Sequence, residues 1–330
     1  MIQQAVILAA GRGKRLGQLT KDRPKSMLPV LGKPIVARVM DRFRDAGIRR
    51  FVVVVGENDG QMASYLNQSW YPDAEIHFVM QVVPTGTVDA LQQAAPHLDG
   101  PFLLTAVDNL TSPAHISNLI TRFHEHPDHL AVLSLLEASA AQIRKSSGVV
   151  LNDGRVEDIV EKPDEPRTSW LSFMLYAFAH DYLDYLPDVP VSTRGERELV
   201  SAIQAGIHDG RRVGYVVADW RLHLTRELDL FAINRQFLYE GRDAHILSEL
   251  PGSVRVISPV RIDTNVSIGP NAEIGPNVYL ESGVTVGPNA IVRNAVVLHG
   301  ASIAAADHCT DQIVGDGVRL SAADAPHPAP

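Results

Sequence analysis

Short apolar runs alternate with helically spaced apolar positions over the first 110 residues of the chain. Helical spacing is found after Pro34 and again over Val88–Ala95. The continuous apolar run Phe51–Val55 is typical of a strand that is buried on both faces of a parallel sheet. The predicted strands are Val6–Ala10, Phe51–Val55, Glu75–Met80 and Phe102–Val107. This alternation predicts βαβ units in a doubly wound, mostly parallel α/β sheet, in which ligands bind at the carboxyl ends of the strands.

A different period begins near residue 254. A second, smaller apolar series accompanies the first from Val260 to Val296. Units of six residues each form one short strand and one turn, and three units complete a triangular coil. The main series consists of Val256, Ile262, Ile268, Ile274, Leu280, Val286, Val292 and Leu298, spaced six apart without a break. The pattern predicts a short left-handed β-helix over residues 254–320.

The two patterns divide the chain into a larger and a smaller part. Helices are predicted over Glu196–His208 and Arg226–Tyr239, and we expect the second to close a first domain at residues 1–240. A polar linker over 241–253 then precedes the β-helix, and the tail 321–330, rich in Ala and Pro, is predicted to be disordered. Stacked coils present a flat outer face, so we expect a homo-oligomer formed through the β-helix.

Charge and cysteine content narrow the class of protein. The formal net charge of -8 over 330 residues opposes a large basic face for nucleic acid or an anionic membrane. No apolar run approaches the roughly 18 residues of a membrane helix, and the short run at Ala5–Ala10 lacks the cationic start of a signal peptide. Cys309 is the only cysteine, which excludes an intrachain disulfide and favours a cytoplasmic location.

The loop after the first predicted strand combines glycine with positive charge. Gly11 and Gly13 allow close approach of the backbone to an anion. Glycines and positive charge in the same loop together fit a polyphosphate ligand. The surrounding cations are Lys14, Arg15, Lys21, Arg23 and Lys25. A glycine turn with solvated cations is the alternative interpretation of the glycine pair alone.

The longer segment from Leu8 to Pro34, LAAGRGKRLGQLTKDRPKSMLPVLGKP, resembles the signature of the sugar nucleotidyltransferases. That signature is GxGxRL, followed by a Pro-Lys pair and a Leu-Pro-Val stretch. Further elements resemble the family in order along residues 1–240: QVVPTGTVDA at Gln81–Ala90, TAVDNL at Thr105–Leu110, Gly148–Val150, and EKP at Glu161–Pro163. The resemblance implies a Rossmann-like nucleotidyltransferase fold for the first domain.

The resemblance also implies a reaction. A sugar 1-phosphate attacks the α-phosphorus of a nucleoside triphosphate with Mg²⁺ as cofactor, and pyrophosphate leaves; UTP or dTTP is favoured and CTP stays possible. Arg15 would hold the β- and γ-phosphates, and Lys25 would bridge the α-phosphate and the incoming phosphate. Asp108 would bind the metal, because Mg²⁺ prefers oxygen ligands. Lys162 would hold the sugar phosphate. An alternative for Asp108 is capping of a helix that starts near Ser112.

Binding residues follow from the same resemblance. Gln81 and Gly86 would contact the nucleobase, although Thr87 also suits a plain helix N-cap. Glu161 and the backbone at Gly148 would meet sugar hydroxyls, beside Lys162. The full nucleotide-binding set is Leu8, Ala10, Gly11, Gly13, Gln81, Pro84, Gly86 and Thr87; the sugar-phosphate set is Gly148, Glu161, Lys162 and His223.

The sequence departs from the family on the expected sugar side. A second metal-binding Asp is common in a WLDxGT-like segment, but the matching stretch here is WRLHLT, with Leu222 at the Asp position and His223 beside it. His223 could bind a phosphate or a different metal, and a shifted register that brings in Asp219 stays open. Val200 and Ser201 replace a frequent Thr-Asp pair. We therefore hypothesise an acceptor other than glucose 1-phosphate, such as a variant sugar or a sugar-like cyclitol phosphate.

Other classes of protein fit the sequence less well. A dinucleotide-binding dehydrogenase fits poorly, because its glycine pattern is GxGxxG. The glycines here fall at positions 11, 13 and 17, which is one residue longer. An acyltransferase on the β-helix lacks the long loop such sites need. A non-catalytic nucleotide-sugar-binding regulatory protein remains the main alternative, because of Leu222. His124, His126 and His129 are interpreted as surface histidines rather than a metal site.

Overall fold

The structure, a computed structural model, describes residues 1–11, 13–83, 85–241, 243–323 and 325. The chain divides into two compact units. The first contains Met1–Arg12 and Val39–Arg221, and the second contains Gly13–Arg38 and Leu222–Pro330. The second unit therefore includes the cation-rich signature segment as well as the C-terminal part. This differs from the predicted boundary near residue 240.

The α-helices of the described residues are α1 (Ile35–Asp45), α2 (Gly60–Gln68), α3 (Thr87–Ala94), α4 (Pro113–Glu125), α5 (Ala140–Ile143), α6 (Leu199–His208) and α7 (Glu227–Tyr239). Short 3₁₀ helices span Lys14–Thr20, Lys25–Met27, Ala95–His97 and His180–Tyr185. The helices predicted from residue 34, over 88–95, over 196–208 and over 226–239 correspond to α1, α3, α6 and α7. Their observed ends differ from the predicted ones by at most three residues.

The strands up to residue 223 are β1 (Gln4–Leu8), β2 (Pro29–Val30), β3 (Lys33–Pro34), β4 (Arg50–Val55), β5 (Glu75–Met80), β6 (Phe102–Ala106), β7 (Asn109–Thr111), β8 (His129–Glu137), β9 (Ser147–Asn152), β10 (Arg155–Glu161), β11 (Trp170–Phe178), β12 (Arg212–Val217) and β13 (Arg221–His223). The later strands are β14 (Arg255–Val256), β15 (Val260–Ile262), β16 (Ser267–Ile268), β17 (Glu273–Ile274), β18 (Val278–Leu280), β19 (Thr285–Val286), β20 (Ile291–Val297), β21 (Ser302–Ile303), β22 (His308–Gly315) and β23 (Val318–Ser321).

The first unit is built on a nine-stranded sheet with the path β10-β9-β11-β6-β1-β4-β5, and β8 joins β11 to β12. β1 pairs in parallel with both β4 and β6, and β4 pairs in parallel with β5. β11 runs antiparallel to β6, β8 and β9. The parallel strands β5, β4, β1 and β6 with their intervening helices confirm the predicted α/β fold class.

Apolar faces of α3 and α6 cover this sheet. Val88 and Leu91 of α3 and Leu199 and Ile203 of α6 belong to one buried cluster with residues of β1, β4, β6, β8 and β12. Val200 belongs to the same cluster and is 7% exposed. Its apolar side chain therefore serves the core, which weakens the use of Val200 as a sign of acceptor preference.

Helix α4 buries a histidine against the sheet. His115 is 2% exposed, and its Nε2 is 2.8 Å from the Ser134 hydroxyl of β8. Burial lowers the pKa of His115 from 6.5 to about 4, because desolvation disfavours the charged imidazolium. His115 therefore stays neutral in the folded protein at neutral pH.

The second unit contains the predicted coil. Parallel pairs join residues 18 positions apart, as in Arg255 with Glu273, so that three six-residue units complete each turn. Corners fall at residues in the left-handed backbone region, which Asn and Gly tolerate. These are Asn265, Asn271, Asn277, Gly283 and Asn289, six apart. These parallel pairs are consistent with the predicted β-helix, and the hexapeptide repeat and the left-handed sense of the coil stay predictions.

The period first shortens after Val292. Leu280 aligns with Val297 rather than with Leu298, and Val278 aligns with Ala295, so this turn has 17 residues. Asn294 takes a positive φ of 45° inside β20 at this point. The assignment of Leu298 to the unbroken aliphatic series is therefore wrong, because the chain turns this corner one residue early.

The signature segment packs on α7, which explains its place in the second unit. The buried Asn234 side chain accepts the Leu31 N–H at 2.9 Å and donates to the Pro29 carbonyl at 3.1 Å. Arg38 donates to the Val30 and Leu31 carbonyls and to Asp243. The β2–β3 hairpin is thus fixed by side chains of its own unit.

Two predicted segments are more ordered than expected. Within 241–253, Leu247 donates to the Ile262 carbonyl and the Ser248 hydroxyl to the Asp263 carbonyl, so the proposed linker lies along the first coil. At the C-terminus, Ser321 ends β23 and the buried Ala322 donates to the Asp311 carbonyl. β23 pairs antiparallel with Gln312–Gly315 of β22. Residues 324 and 326–330 of the predicted disordered tail lie outside the described residues.

The helices among the described residues are all too short or too polar to cross a membrane.

The buried His115 predicts a loss of stability in acid. The unfolded chain protonates this group near pH 6.5 and the folded chain only near pH 4, so its contribution is present above pH 6.5 and is lost as the pH falls through this interval. This difference in pKa corresponds to a change in the free energy of unfolding on the order of 3 kcal/mol. Urea unfolding of the wild type and of His115→Gln from pH 7.5 to 4 should show a shallower pH dependence in the variant. His97→Gln, at an exposed histidine, is the control and should keep the wild-type slope; an unchanged slope in His115→Gln would contradict the prediction.

Candidate active site

Three neighbouring parallel strands end together at one edge of the sheet. Leu8 lies in register with both Val54 and Ala106. The Ala9 N–H donates to the Val54 carbonyl at 2.8 Å, and the Val107 N–H donates to the Leu8 carbonyl at 3.0 Å. The chain that continues to Ala10 and Gly11 and the turn that carries Asp108 therefore leave the same edge from adjacent strands.

Asp108 is a buried carboxylate at this edge, with 5% of its surface exposed. The alternative role as a helix cap is wrong, because Ser112 occupies the N-cap of α4 and its hydroxyl accepts the His115 N–H at 3.3 Å. Asp108 instead lies between β6 and β7, as expected for a ligand-binding residue at the carboxyl end of a strand.

The turn that carries Asp108 is held from both sides. The side-chain amide of Asn109 donates to the Met174 carbonyl at 3.0 Å, and its oxygen accepts the Nε–H of Arg221 at 3.0 Å. The Arg221 guanidinium lies 5.0 Å from the centre of the Phe173 ring. Sequence reasoning missed both polar residues as candidates, although Asn109 follows Asp108 directly and Arg221 lies within the WRLHLT segment.

A second carboxyl group lies beside the loop after β4. Asp59 is 8% exposed and accepts the Gly56 N–H at 2.7 Å. Burial raises the pKa of the Asp59 carboxyl, and the hydrogen bond from Gly56 opposes that shift. Asp59 orders a turn whose glycine lies close to the Ala10 carbonyl, so the role visible for this carboxyl is structural.

The predicted nucleobase pair is close together. The Gln81 side-chain amide donates to the Gly86 carbonyl at 3.0 Å, and Gln81 is 8% exposed. Gly86, rather than Thr87, is the N-cap of α3. The Thr87 hydroxyl accepts the Leu199 N–H at 3.2 Å. Pro84 lies outside the described residues. The base-contacting roles stay predictions.

Gly86 has a structural function that the sequence did not show. Its φ is 138°, and a β-carbon added there would lie 2.4 Å from the carbonyl oxygen and 2.6 Å from the amide nitrogen of Arg197. The Arg197 side chain bonds Asp89 at 2.6 Å and Gln92 at 2.8 Å. Glycine is therefore required for the close approach of two backbone segments.

Gly148, Glu161 and Lys162 of the predicted sugar-phosphate set lie on β9, on β10 and directly after β10, whereas His223 lies on β13 in the second unit. Gly148 aligns with Val160, and Glu161 aligns with Ser147, whose hydroxyl donates to the Glu161 carboxylate. Lys162 has a positive φ of 46°, and its Nζ is 3.4 Å from a Glu161 oxygen. The Lys162 side chain remains 40% exposed, which leaves it accessible to solvent.

In the second unit, the signature segment places its lysine against a glycine. Gly13 has a φ of 59°, and a β-carbon there would lie 2.9 Å from the Lys25 β-carbon. This contact requires a residue without a side chain at position 13. Arg15 is exposed on the 3₁₀ helix, and Lys25 begins the next one. The segment therefore presents both predicted phosphate-binding cations from short, defined helical turns.

The positions considered for a second metal ligand have local partners. The His223 ring nitrogen Nδ1 is 2.9 Å from the Thr225 hydroxyl. Asp219, in the first unit, accepts the Ser112 hydroxyl at 3.3 Å. Leu222 offers no ligand atom. Neither the role of His223 nor that of Asp219 is tested by these contacts, and both stay predictions.

Three residues after α4 form a compact group. Ligand atoms of His126, Asp128 and His129 lie within 4.8 Å of one another. Arg122 contacts the His126 ring at 2.6 Å, and Arg212 pairs with Asp128 at 3.0 Å. His129 is 7% exposed, so its assignment to the surface is wrong. Two guanidinium groups beside the group oppose the binding of a cation by Coulomb repulsion.

Comparison with known proteins identifies the family. The sequence model of the nucleotidyl transferase family matches residues 4–221, and that of the GMPPB C-terminal domain matches residues 256–323. The chain belongs to the nucleotidyl transferase family. Residues 4–221 include β1, β6 and the turn at Asp108, so the match agrees with the resemblance found in the sequence. The predicted family and the predicted enzyme class are confirmed.

Individual relatives agree with this assignment. A UTP–glucose-1-phosphate uridylyltransferase of Haloferax volcanii is 33% identical over 223 residues, which cover 67% of this nucleotidyl transferase and 90% of the relative. The low-salt glycan biosynthesis nucleotidyltransferase Agl11 of the same organism is 29% identical and covers 97% of this chain and 94% of its own. A bifunctional protein GlmU of Methanocaldococcus jannaschii is 28% identical over 89% of this chain and 68% of the relative.

A solved structure shows the same fold. The crystal structure of a UDP-glucose pyrophosphorylase complexed with UDP-glucose matches 73% of this nucleotidyl transferase and 100% of the other chain, with a TM-score of 0.65 and 19% sequence identity.

The contact at Gly86 predicts a strong structural effect. We expect Gly86→Ala to lower the free energy of unfolding by about 2–4 kcal/mol, because a β-carbon collides with the Arg197 backbone and φ is unfavourable for alanine. Thermal unfolding measures the effect. Gly100→Ala is the matched control, since nothing lies within 4 Å of a β-carbon there. Equal stability of the two variants would contradict this account.

Proposed function

We propose that the protein transfers a nucleoside monophosphate from a nucleoside triphosphate, with UTP or dTTP favoured and CTP possible, to a sugar 1-phosphate or a sugar-like cyclitol phosphate. The products are a nucleotide sugar and pyrophosphate. The observation that carries the proposal is the buried Asp108 at the carboxyl end of β6, beside the strand that leads into the glycine loop. The 33% identical uridylyltransferase supports UTP as the first candidate.

In the proposed reaction, a phosphate oxygen of the acceptor forms a bond to the α-phosphorus. The bond from the α-phosphorus to the bridging oxygen breaks, and that oxygen leaves with pyrophosphate. Arg15 would neutralise charge on the leaving group, while Lys25 would hold the α-phosphate and the attacking phosphate together. Positioning and neutralisation of charge supply most of the rate in such transfers. Lys162 would anchor the sugar phosphate, and Glu161 and Gly148 would meet the sugar hydroxyls.

A divalent cation, proposed to be Mg²⁺, fits this donor set. Asp108 offers carboxylate oxygens in a buried position, and Mg²⁺ commonly completes its shell with substrate phosphates and water. When bound, the ion would neutralise charge on the triphosphate. Leu222 cannot contribute a ligand, so Asp108 is the principal protein ligand in this proposal.

The identity of the acceptor rests on fewer observations. Leu222 and His223 still favour an acceptor that differs from glucose 1-phosphate, whereas Val200 no longer does, because it lies in the core. The named activity of the H. volcanii uridylyltransferase favours glucose 1-phosphate. We therefore propose the broader class of sugar and cyclitol phosphates, with glucose 1-phosphate as the reference acceptor.

A second candidate function is nucleotide-sugar binding without turnover. The observation in its favour is Leu222, which removes one expected metal ligand. Retention of Arg15, Lys25, Asp108 and Lys162 opposes it. The proposed homo-oligomer and the cytoplasmic location remain predictions from the sequence alone.

Pyrophosphate release from each common triphosphate with Mg²⁺ and a panel of sugar and cyclitol phosphates tests the function. We expect release with UTP or dTTP and at least one acceptor. A preference for glucose 1-phosphate across the panel would refute the variant-acceptor hypothesis. Triphosphate binding without release in every combination would establish the regulatory alternative instead.

Asp108→Asn separates the metal role from a structural one. We expect kcat/KM to fall by about 100-fold to 1,000-fold, because a neutral amide holds a divalent cation weakly, with little change in stability. Asp73→Asn, at an exposed position, is the matched control and should behave as wild type. Asp219→Asn is assayed in parallel, and a loss similar to that of Asp108→Asn would identify Asp219 as the second ligand. Full activity of Asp108→Asn would refute the role given to Asp108.

A further inference from the structure

An ion pair joins the signature segment to the β-helix within the second unit. The Arg23 guanidinium donates to both oxygens of Glu281, at 2.6 and 3.0 Å. The two side chains are only 21% and 14% exposed. Paired hydrogen bonds between guanidinium and carboxylate fix orientation as well as distance. This contact spans 258 positions of sequence, so it is a property of the tertiary fold.

The coil holds Glu281 in place. Glu281 follows β18 directly, and its N–H donates to the Val297 carbonyl at 2.9 Å. Its carboxylate also accepts the His299 N–H at 2.8 Å. The acceptor side of the ion pair is therefore attached to two successive turns of the coil, and Arg23 meets a carboxylate in a fixed orientation.

The neighbouring coil holds the other end of the same segment. Asp263, which is 18 positions before Glu281, lies against Gly32 at the tip of the β2–β3 hairpin. A β-carbon at Gly32 would be 2.9 Å from an Asp263 oxygen. Asp263 accepts Arg261 Nε–H at 2.6 Å and the buried Tyr279 hydroxyl at 3.0 Å. Two carboxylates at equivalent positions of adjacent turns thus contact the two ends of one loop region.

Arg15 and Lys25 lie on the segment that these contacts fix. Arg23 is two residues before Lys25, and Pro24 between them begins the turn that carries Lys25. Since Arg23 is paired with a carboxylate, its charge is largely compensated. Loss of Glu281 would therefore release the constraint on the segment that carries Lys25, the lysine proposed to bind phosphate.

We propose that Glu281 is a positioning residue for triphosphate binding, acting through Arg23 on the segment that carries Arg15 and Lys25. The β-helix is then a part of the nucleotide-binding machinery in addition to its proposed role in assembly. This inference rests on the phosphate-binding role given to Arg15 and Lys25 in the proposed function.

The test compares Glu281→Gln with Glu273→Gln in the full-length protein. Glu273 forms ion pairs with Arg255 and Arg293, and all three residues lie on the β-helix itself. Its variant therefore removes Glu–Arg ion pairs of the coil without affecting the signature segment. We expect Glu281→Gln to raise KM for the triphosphate by about tenfold, as for the loss of a partly buried ion pair, and to change KM for the sugar phosphate by less than about twofold. Glu273→Gln should change neither.

Arg23→Gln and the double variant show whether the two residues act together. Coupled residues give a double variant no worse than the worse single one, whereas independent residues multiply their effects. Arg23→Lys keeps the charge but not the paired geometry, and we expect an intermediate KM for the triphosphate. If Glu281→Gln fails to fold, Arg23→Lys still tests the proposal. Thermal unfolding of all variants shows which of them are folded.

Several outcomes overturn the proposal. One is an equal KM for the triphosphate in Glu281→Gln and Glu273→Gln. Another is a change in Glu281→Gln that is as large in the KM for the sugar phosphate as in the KM for the triphosphate. The third is that the effects of Arg23→Gln and Glu281→Gln multiply in the double variant. Triphosphate binding by calorimetry distinguishes this failure from failure of the proposed function. If the wild type binds UTP without turnover, the proposed catalysis fails, and the Kd values of the variants still decide the role of Glu281. If the wild type neither binds nor turns over any triphosphate, both proposals fail.

Discussion

The register of β1 between its two parallel neighbours is the constraint on which the candidate site depends. Leu8 lies opposite Val54 and Ala106, and backbone hydrogen bonds extend this alignment to Ala9 and Val107. A shift by one residue would turn every apolar side chain of β1 to the other face of the sheet. Burial on both faces therefore fixes where the glycine loop begins and where Asp108 emerges.

Local patterns predicted most of the regular structure because each depends on neighbours in sequence. The all-apolar run at 51–55 and the six-residue aliphatic period each reflect burial that repeats along the chain. The placement of Asp108 followed from the general rule for parallel sheets. Asn109 and Arg221, which hold the turn that carries Asp108, were missed because their hydrogen bond joins residues 112 positions apart.

Packing between distant segments accounts for the errors. The predicted domain boundary placed residues 13–38 with the sheet because they are close to β1 in sequence, whereas Asn234 of α7 bonds the hairpin of that segment. Val200 was interpreted as a substitution on the sugar side, and its side chain belongs to the core. Gly86 was predicted to contact the nucleobase. The close approach of the Arg197 backbone is by itself enough to require glycine at this position.

The antiparallel strand β23 has a consequence for the behaviour of the protein at high concentration. A coil of parallel strands ends in a row of unpaired amides and carbonyls, which can template the addition of further chains. Val318–Ser321 folds back in the opposite direction and occupies these groups along Gln312–Gly315 of β22. This reversal closes that stretch of the terminal edge, so the repeat that builds the coil is prevented from continuing there into a fibre.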